Sequence, residues 1–368
     1  MSESGDERHG TARREVLKAT GAAAVGGIAG WMLRGVGGET TATPATPSPT
    51  AAAKASVLAS HDLIRGVTVP RVPQRHLFAT VLSFDGVGSD AVLDHVRAVH
   101  NQLHPTAVDA GEITAVMGFA PRHALELWPV RAAKAKELPP FAIDTADIVN
   151  GGDLALQVCA ETASAARDAA LHLVTSLGAP RMLWQCSGYR DAPTPEGTAR
   201  TNTGFIDGIT NPRTTEDIDE GVWTDGTRLD TFIVMRRMTV NAAFGRMPVA
   251  AQESAIGRHR DTGAPLSGGG PMAHVDLFAK TPDGRLLTPL ASHARRAHPS
   301  NIGRPLMLRR SYSFDTEGPG TGLLFTAFLG DPQTFILTQF RLEEMDDLIS
   351  HTTADASGCF FVPGNLET

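Results

Sequence analysis

Cysteine is scarce: the 368 residues include three, Cys159, Cys186 and Cys359. They form no CxxC pair, no zinc spacing and no even-numbered set. Neither a disulfide framework nor a zinc ligand set is expected, and the three read as small buried hydrophobes. Aromatics are few, with two Tyr and four Trp. A basic excess is missing as well: 33 Lys and Arg stand against 40 Asp and Glu, for a net charge of −7. That excludes the concentrated basic face that nucleic-acid binding needs, and no nucleic-acid partner is expected. No stable membrane span is expected either. The uncharged stretch from Ala19 to Leu33 has 15 residues, too few to cross a hydrocarbon core about 30 Å thick as a helix. What is present is a 42% apolar content, enough for a large core. The length suits two domains or one domain with an internal duplication.

The N-terminus has the order of an export signal. Arg13 and Arg14 stand together, the uncharged Gly/Ala-rich stretch follows, and Arg34 closes it. A charged region, a weakly apolar region and a polar segment make a signal peptide, and the paired Arg mark the twin-arginine (Tat) route. An interfacial amphipathic helix would need a recurring polar face, which Gly21 to Leu33 lacks. No Cys follows the apolar region, which argues against a lipid anchor. Residues 1–34 are therefore expected to be a Tat signal and 35–60, rich in Thr, Ala and Pro, a linker. Export implies an extracellular, cell-surface or periplasmic location.

Beyond the linker the hydrophobic pattern repeats. Strands are expected at His76–Phe84, Glu112–Gly118, Asp153–Cys159 and Arg181–Cys186, with helices through Val92–Leu103 and Ala166–Leu177. This β-α-β, β-α-β order is ferredoxin-like. It recurs as a strand at Thr231–Val240, a helix at Val249–Gly257, a Gly/Pro-rich stretch from Thr262 to Arg285, a strand at Gly322–Leu329, a short helix at Leu342–Ser350 and a last strand at Gly358–Val362. The fold class is α+β. Two ferredoxin-like halves, residues 61–195 and 196–368, are expected to pack antiparallel sheets into a barrel-like body with peripheral helices.

Three short constellations could carry chemistry. In Gly204-Phe205-Ile206-Asp207-Gly208 two glycines flank one acid. Glycine lets backbone approach a flat ligand closely, though Asp-Gly is equally a turn signal. Ser292-His293-Ala294-Arg295-Arg296-Ala297-His298-Pro299 offers an imidazole that can ligate iron while its second nitrogen donates to a carboxylate. A lone His is as readily structural. Leu306-Met307-Leu308-Arg309-Arg310 places two Arg on an apolar strand, where neighbours face opposite ways. A buried guanidinium needs an anion or developing negative charge; a surface strand with a salt bridge has the same pattern.

Taken together, the residues resemble the dye-decolourising peroxidase family in its Tat-exported subgroup. TGFIDGITNP (Thr203–Pro212) is similar to the family's GxxDG signature. GGDLALQVCAE (Gly151–Glu161), IGRHRDTGAPL (Ile256–Leu266), SHARRAHP (Ser292–Pro299), LMLRRSY (Leu306–Tyr312) and GLLFTAFLGDPQ (Gly322–Gln333) resemble it in the same chain order. Ile209 stands where the family usually has Thr, and Ser311 where it often has Gly.

The resemblance implies a haem b peroxidase that reduces hydrogen peroxide and oxidises a dye, a phenolic or other small reductant, or a redox protein partner. It implies His293 as the iron ligand, Asp207 as the acid–base residue on the peroxide side and Arg309 as the cation beside it. Asp331 is expected to hold the second nitrogen of His293, and Arg258 to meet a haem propionate. His298 is not in the ligand position. Tyr312, three residues after Arg309, is the nearest oxidisable ring in sequence, and core packing explains it at least as well. A homo-oligomer is compatible with all this. Two other readings use the same residues: a haem-binding or iron-handling module of the deferrochelatase kind serving an iron-uptake system, and an exported protein without haem.

Overall fold

The computed structural model describes residues 65–100, 113–225 and 230–368. The expected signal and linker lie outside these residues. The first half runs β1 (His76–Ser83), α1 (Ser89–Val99), β2 (Thr114–Phe119), α2 (Pro121–Leu127), β3 (Asp144–Asn150), β4 (Leu154–Ala160), α3 (Ala163–Ser176) and β5 (Arg181–Tyr189). Helix α1 forms because Val92, Leu93, Val96 and Val99 recur on one face, which the sheet buries. Thr162 caps α3, its side chain accepting from Ala165 N–H, and small Ala166 and Ala170 let that helix lie close to the strands.

A short hairpin of β6 (Ala199–Arg200) and β7 (Ile206–Asp207), then α4 (Thr215–Gly221), leads into the second half. That half runs β8 (Thr231–Asn241), α5 (Ala242–Arg246), α6 (Val249–Ile256), α7 (His293–Arg296), β9 (Leu308–Arg309), β10 (Tyr312–Phe314), β11 (Gly320–Leu329), α8 (Gln333–Glu343) and β12 (Thr352–Val362). The strand order is β5-β1-β4-β2 in the first half and β12-β8-β11-β9 in the second. Counting β1, β2, β4, β5 and β8, β9, β11, β12 as strands one to four of their halves, both orders are 4-1-3-2, the ferredoxin-like arrangement.

The two sheets close on each other. Strand β2 meets β12 through Phe119 and Phe361, while β10 pairs with β5 at Ser313–Tyr189 and with β11 at Tyr312–Leu324. Strands of this barrel are buried on both faces, so they read as near-continuous apolar runs. In β4, Ala155 and Cys159 face the interior with Val81, Trp184, Ile233 and Phe360, whereas Leu156 and Val158 face the helices. Tyr312 belongs to the interior: it is 1% exposed and its hydroxyl donates to Gln74 O. The three cysteines are free and buried, as expected.

Several elements differ from expectation: β3 and α2 are unexpected, β12 starts at Thr352 instead of Gly358, and the last helix is displaced. The last helix spans Gln333–Glu343, not Leu342–Ser350. It starts early because Asp331 caps it, its Oδ1 accepting from Gln333 N–H, and Pro332 has the fixed φ a helix start tolerates. The run Thr-Phe-Ile-Leu hides this helix, since β-branched and aromatic residues read as strand. Expected 342–350 holds the turn after the helix and a 3₁₀ segment at Ile349–His351.

Candidate active site

The outer face of β8 and β11 does not meet a packed helix along its whole length. Met238, Val240, Leu323 and Phe325 from these strands line a cavity, closed on other sides by Ile256, Leu342, and residues 293–309. Asp207, Arg258, His293, His298 and Arg309 all open into it. Four of the five expected site residues therefore come together; Asp331 does not.

His293 begins α7. Its Nδ1 lies 3.0 Å from Oδ2 of Asp346, whose side chain is fully buried. Asp346 is itself held by Ile349 N–H on Oδ1, 2.9 Å away. Burial alone would push the His293 pKa down; the Asp346 carboxylate outweighs it and the net shift is upward. A carboxylate on Nδ1 keeps the proton there and leaves the Nε2 lone pair for the cavity. Asp346 thus takes the role expected of Asp331. Asp331 instead accepts from Arg304 Nη1 at 2.9 Å and caps α8. The reason is α8 itself: an 11-residue helix separates its two ends by about 16 Å, and Asp331 sits at the start while Asp346 follows the end.

Asp207 ends the β6–β7 hairpin. Gly208 adopts φ +86°, a left-handed turn that brings its own N–H to Asp207 Oδ1 at 2.7 Å. Arg309 Nη2 reaches the same oxygen at 3.3 Å. Both bonds fall on Oδ1, so Oδ2 is the oxygen left for chemistry. Burial raises the Asp207 pKa, but the Arg309 guanidinium, the Gly208 N–H and the more distant Arg190 together hold it below the ordinary carboxylate value.

Arg309 and Arg310 point to opposite faces of β9, as the strand pattern required. Arg309 enters the cavity and donates through Nη1 to Thr210 O at 2.9 Å. Arg310 turns into the body of the protein and donates to the carbonyls of Gly66 and Pro70. Asn211 holds the Arg309 main chain at both its N–H and its carbonyl.

Arg258 is 7% exposed. It donates to the carbonyls of Gly263 (2.9 Å) and Ala273 (3.2 Å) and contacts no carboxylate among the described residues. Burial, and secondarily Arg309, pushes its pKa down to about 10. Two guanidiniums and one carboxylate line the cavity, which leaves positive charge to be matched by whatever binds there. Ile209, one of the two departures from the family pattern, lines the cavity wall; Ser311, the other, is buried beside β10.

Sequence reasoning missed Asp346, Asn211 and Thr210. Asp346 had a signal in the Glu343-Glu344-Met345-Asp346-Asp347 run, but a wrongly placed helix concealed it. Among the described residues no group of three or more His, Cys, Asp or Glu could hold a metal ion.

Comparisons with known proteins identify relatives of the chain. Residues 198–367 match the family model of the C-terminal part of Dyp-type peroxidases. A dye-decolorizing peroxidase of Thermobifida fusca is 30% identical, with 100% of this chain and 97% of that protein covered. A deferrochelatase of Escherichia coli K12 is 28% identical over 67% of this chain and 62% of its own length. Among solved structures, a DyP-type peroxidase from Streptomyces coelicolor superposes with a TM-score of 0.70 at 28% identity, covering 81% of this chain and 90% of that one. DtpA from Streptomyces lividans, described as an oxyferrous/water mixed complex, does so with a TM-score of 0.71 at 28% identity, covering 82% and 91%. The chain belongs to the dye-decolourising, or DyP-type, peroxidase family.

Proposed function

We propose that the protein is a haem b peroxidase that reduces hydrogen peroxide and oxidises dyes or other one-electron reductants, and that it is exported by the Tat route through Arg13 and Arg14. The observation that carries the enzymatic reading is one apolar cavity into which an imidazole anchored by a buried carboxylate opens together with an Asp–Arg pair. The donor set fits haem. His293 Nε2 supplies the one ligand a porphyrin-bound iron needs from the protein. Arg258, a buried cation without a carboxylate, suits a propionate.

When bound, the haem supplies the redox chemistry. The protein's share is proton handling and charge. Peroxide must lose a proton from one oxygen and gain one on the other before water can leave. Asp207 Oδ2 can accept the first proton and return it, since Oδ1 is already engaged. Arg309 cannot exchange protons at working pH, so its part is to stabilise negative charge on the departing oxygen. Asp346 keeps His293 in the tautomer and ring orientation that present Nε2 to the cavity.

A module that only carries haem needs His293 and Asp346 but has no use for a carboxylate held ionised beside a guanidinium; that pair favours peroxidase action. The test is peroxide-dependent bleaching of an anthraquinone dye by the haem-loaded protein. Wild type should turn over, and Asp207→Asn and Arg309→Leu should each lower kcat/KM for peroxide by roughly 10²–10³-fold with the Soret band retained. Wild-type rates in both variants would overturn the peroxide-side assignment. No Soret band on titration with haemin would overturn the haem reading.

A further inference from the structure

Strand β9 is two residues long and lies at the end of its sheet. Its neighbour β11 engages Arg310: the Arg310 N–H donates to Thr326 O at 2.8 Å and Thr326 Oγ1 donates to Arg310 O at 2.6 Å. Successive peptide groups of a strand point to opposite sides, so the N–H and C=O of Arg309 face away from β11. There they meet a single side chain. The Arg309 N–H donates to Asn211 Oδ1 at 3.1 Å, and Asn211 Nδ2 donates to Arg309 O at 2.8 Å. One carboxamide does at this edge what a further strand would do. The loop bearing it also takes the guanidinium, through Thr210 O and Asp207 Oδ1. Residues 207–211 therefore hold Arg309 at four points, two on the main chain and two on the side chain.

We propose that Asn211 is the positioning residue of the peroxide-side pair: by clasping the main chain of Arg309 it fixes the guanidinium relative to the Asp207 carboxylate carried on the same loop. The inference rests on the reading of Asp207 as base and Arg309 as its cation. Its physical content is geometric. Without the clasp, a two-residue edge strand is held on one side only, and a displacement of about 1 Å at a reacting group can cost up to ~10²-fold in rate.

The proposal has an electrostatic signature. The charged groups facing Asp207 are Arg309, Arg190 and, from another wall of the cavity, His293; Arg258 acts on Arg309, and His274 and His298 line the same cavity. Arg309 is the largest influence lowering the Asp207 pKa against burial. Losing Asn211 loosens Arg309 and leaves the other groups where they are. Burial then gains weight, the Asp207 pKa rises, and the acid side of the peroxide profile moves to higher pH.

The experiment compares haem-loaded wild type, Asn211→Ala, Asn211→Asp and Asp207→Asn by kcat/KM for hydrogen peroxide as a function of pH, with the Soret band as the measure of loading. Asn211→Ala should load haem normally, lose roughly 10-fold in kcat/KM and show its acid limb displaced upward. Asn211→Asp keeps the acceptor for the Arg309 N–H, and its kcat/KM should fall between those of wild type and Asn211→Ala. If Asn211→Ala does not load haem, Asn211→Asp carries the test through kcat/KM alone, and a wild-type value overturns the proposal. A loaded Asn211→Ala with wild-type kcat/KM, or with lower kcat/KM and an unmoved acid limb, also overturns it. The underlying reading fails separately: Asp207→Asn would then keep both wild-type kcat/KM and its acid limb.

Discussion

The two halves share one order of elements and one strand order, yet they treat the space outside the sheet differently. In the first half, α1 and α3 press Val92, Val96, Ala170 and Leu173 onto Phe78, Leu82, Leu156 and Val158, and the layer is closed. In the second, the corresponding face of β8 and β11 borders the cavity. The crossover explains the difference. Between β1 and β2 the described residues form one helix, α1, whereas the chain from Asn241 to Leu308 wanders through short helices and left-handed glycines at 257, 263, 268 and 269. That path surrounds a space without filling it.

The polar networks differ in the same sense. The first half contains a Ser–His–Asp relay: Ser89 Oγ lies 2.8 Å from His123 Nδ1, and His123 Nε2 lies 2.8 Å from Asp153 Oδ1. All three residues are under 5% exposed. Ser89 also donates to Glu126, and Asp153 also accepts from Phe84 N–H at 2.7 Å. Both nitrogens of His123 are engaged within the protein, so the relay is closed. His293 and Asp207 each spend one atom on the protein and offer the other to the cavity. Residue types alone do not mark a site; an uncommitted atom facing a cavity does.

Five substitutions press on this contrast. The largest effect is expected from His293→Ala, which should abolish the Soret band on haemin titration, while His123→Ala should load haem like wild type; loading by His293→Ala with an unchanged spectrum would mean another ligand. Next, Asp346→Ala should weaken haem affinity by about 10–100-fold, because His293 loses the acceptor that orients it. Asp331→Ala, at the other end of α8, should leave affinity unaltered, and equal losses from both would restore Asp331 to the site. The smallest effect on chemistry belongs to Asp153→Ala. It strips His123, Phe84 N–H and Arg122 of their shared acceptor and should lower unfolding stability by about 3 kcal/mol. Urea titration measures that loss, and kcat/KM per bound haem should stay at the wild-type value. A fall in kcat/KM would show that the halves are not separable in function.

The duplicated fold was legible because its signals are periodic. Apolar spacing in α1, alternation in β4 and the apolar run of β8 need only local sequence. Asp207, His293 and Arg309 were legible because six short segments in one chain order resemble one family; each motif alone has an equally good structural use. Asp346 was not, because the partner of His293 is chosen by where a helix ends in space. The family resemblance instead implied Asp331, in the segment Gly322–Gln333, which lies at the other end of α8. Asn211 escaped for a different reason. Its function is to complete a strand edge, and nothing in a lone Asn before Pro tells which edge lies opposite.

Closure of the barrel also has a consequence for the order in which the site is made. The residues around the cavity run from Thr201 to Thr352, and Asp346 precedes the last strand, β12, which pairs with both β8 and β2. During synthesis the first half can complete its own sheet while the second is still being made, since domains generally fold as units from the N-terminus. The imidazole then waits for its carboxylate, and β8 for β12, until residues 346–362 have been made. Contacts between residues as distant in sequence as Phe119 and Phe361 belong to the class that forms slowly, because loop closure must precede them. Haem capture is thereby tied to the final stage of the fold.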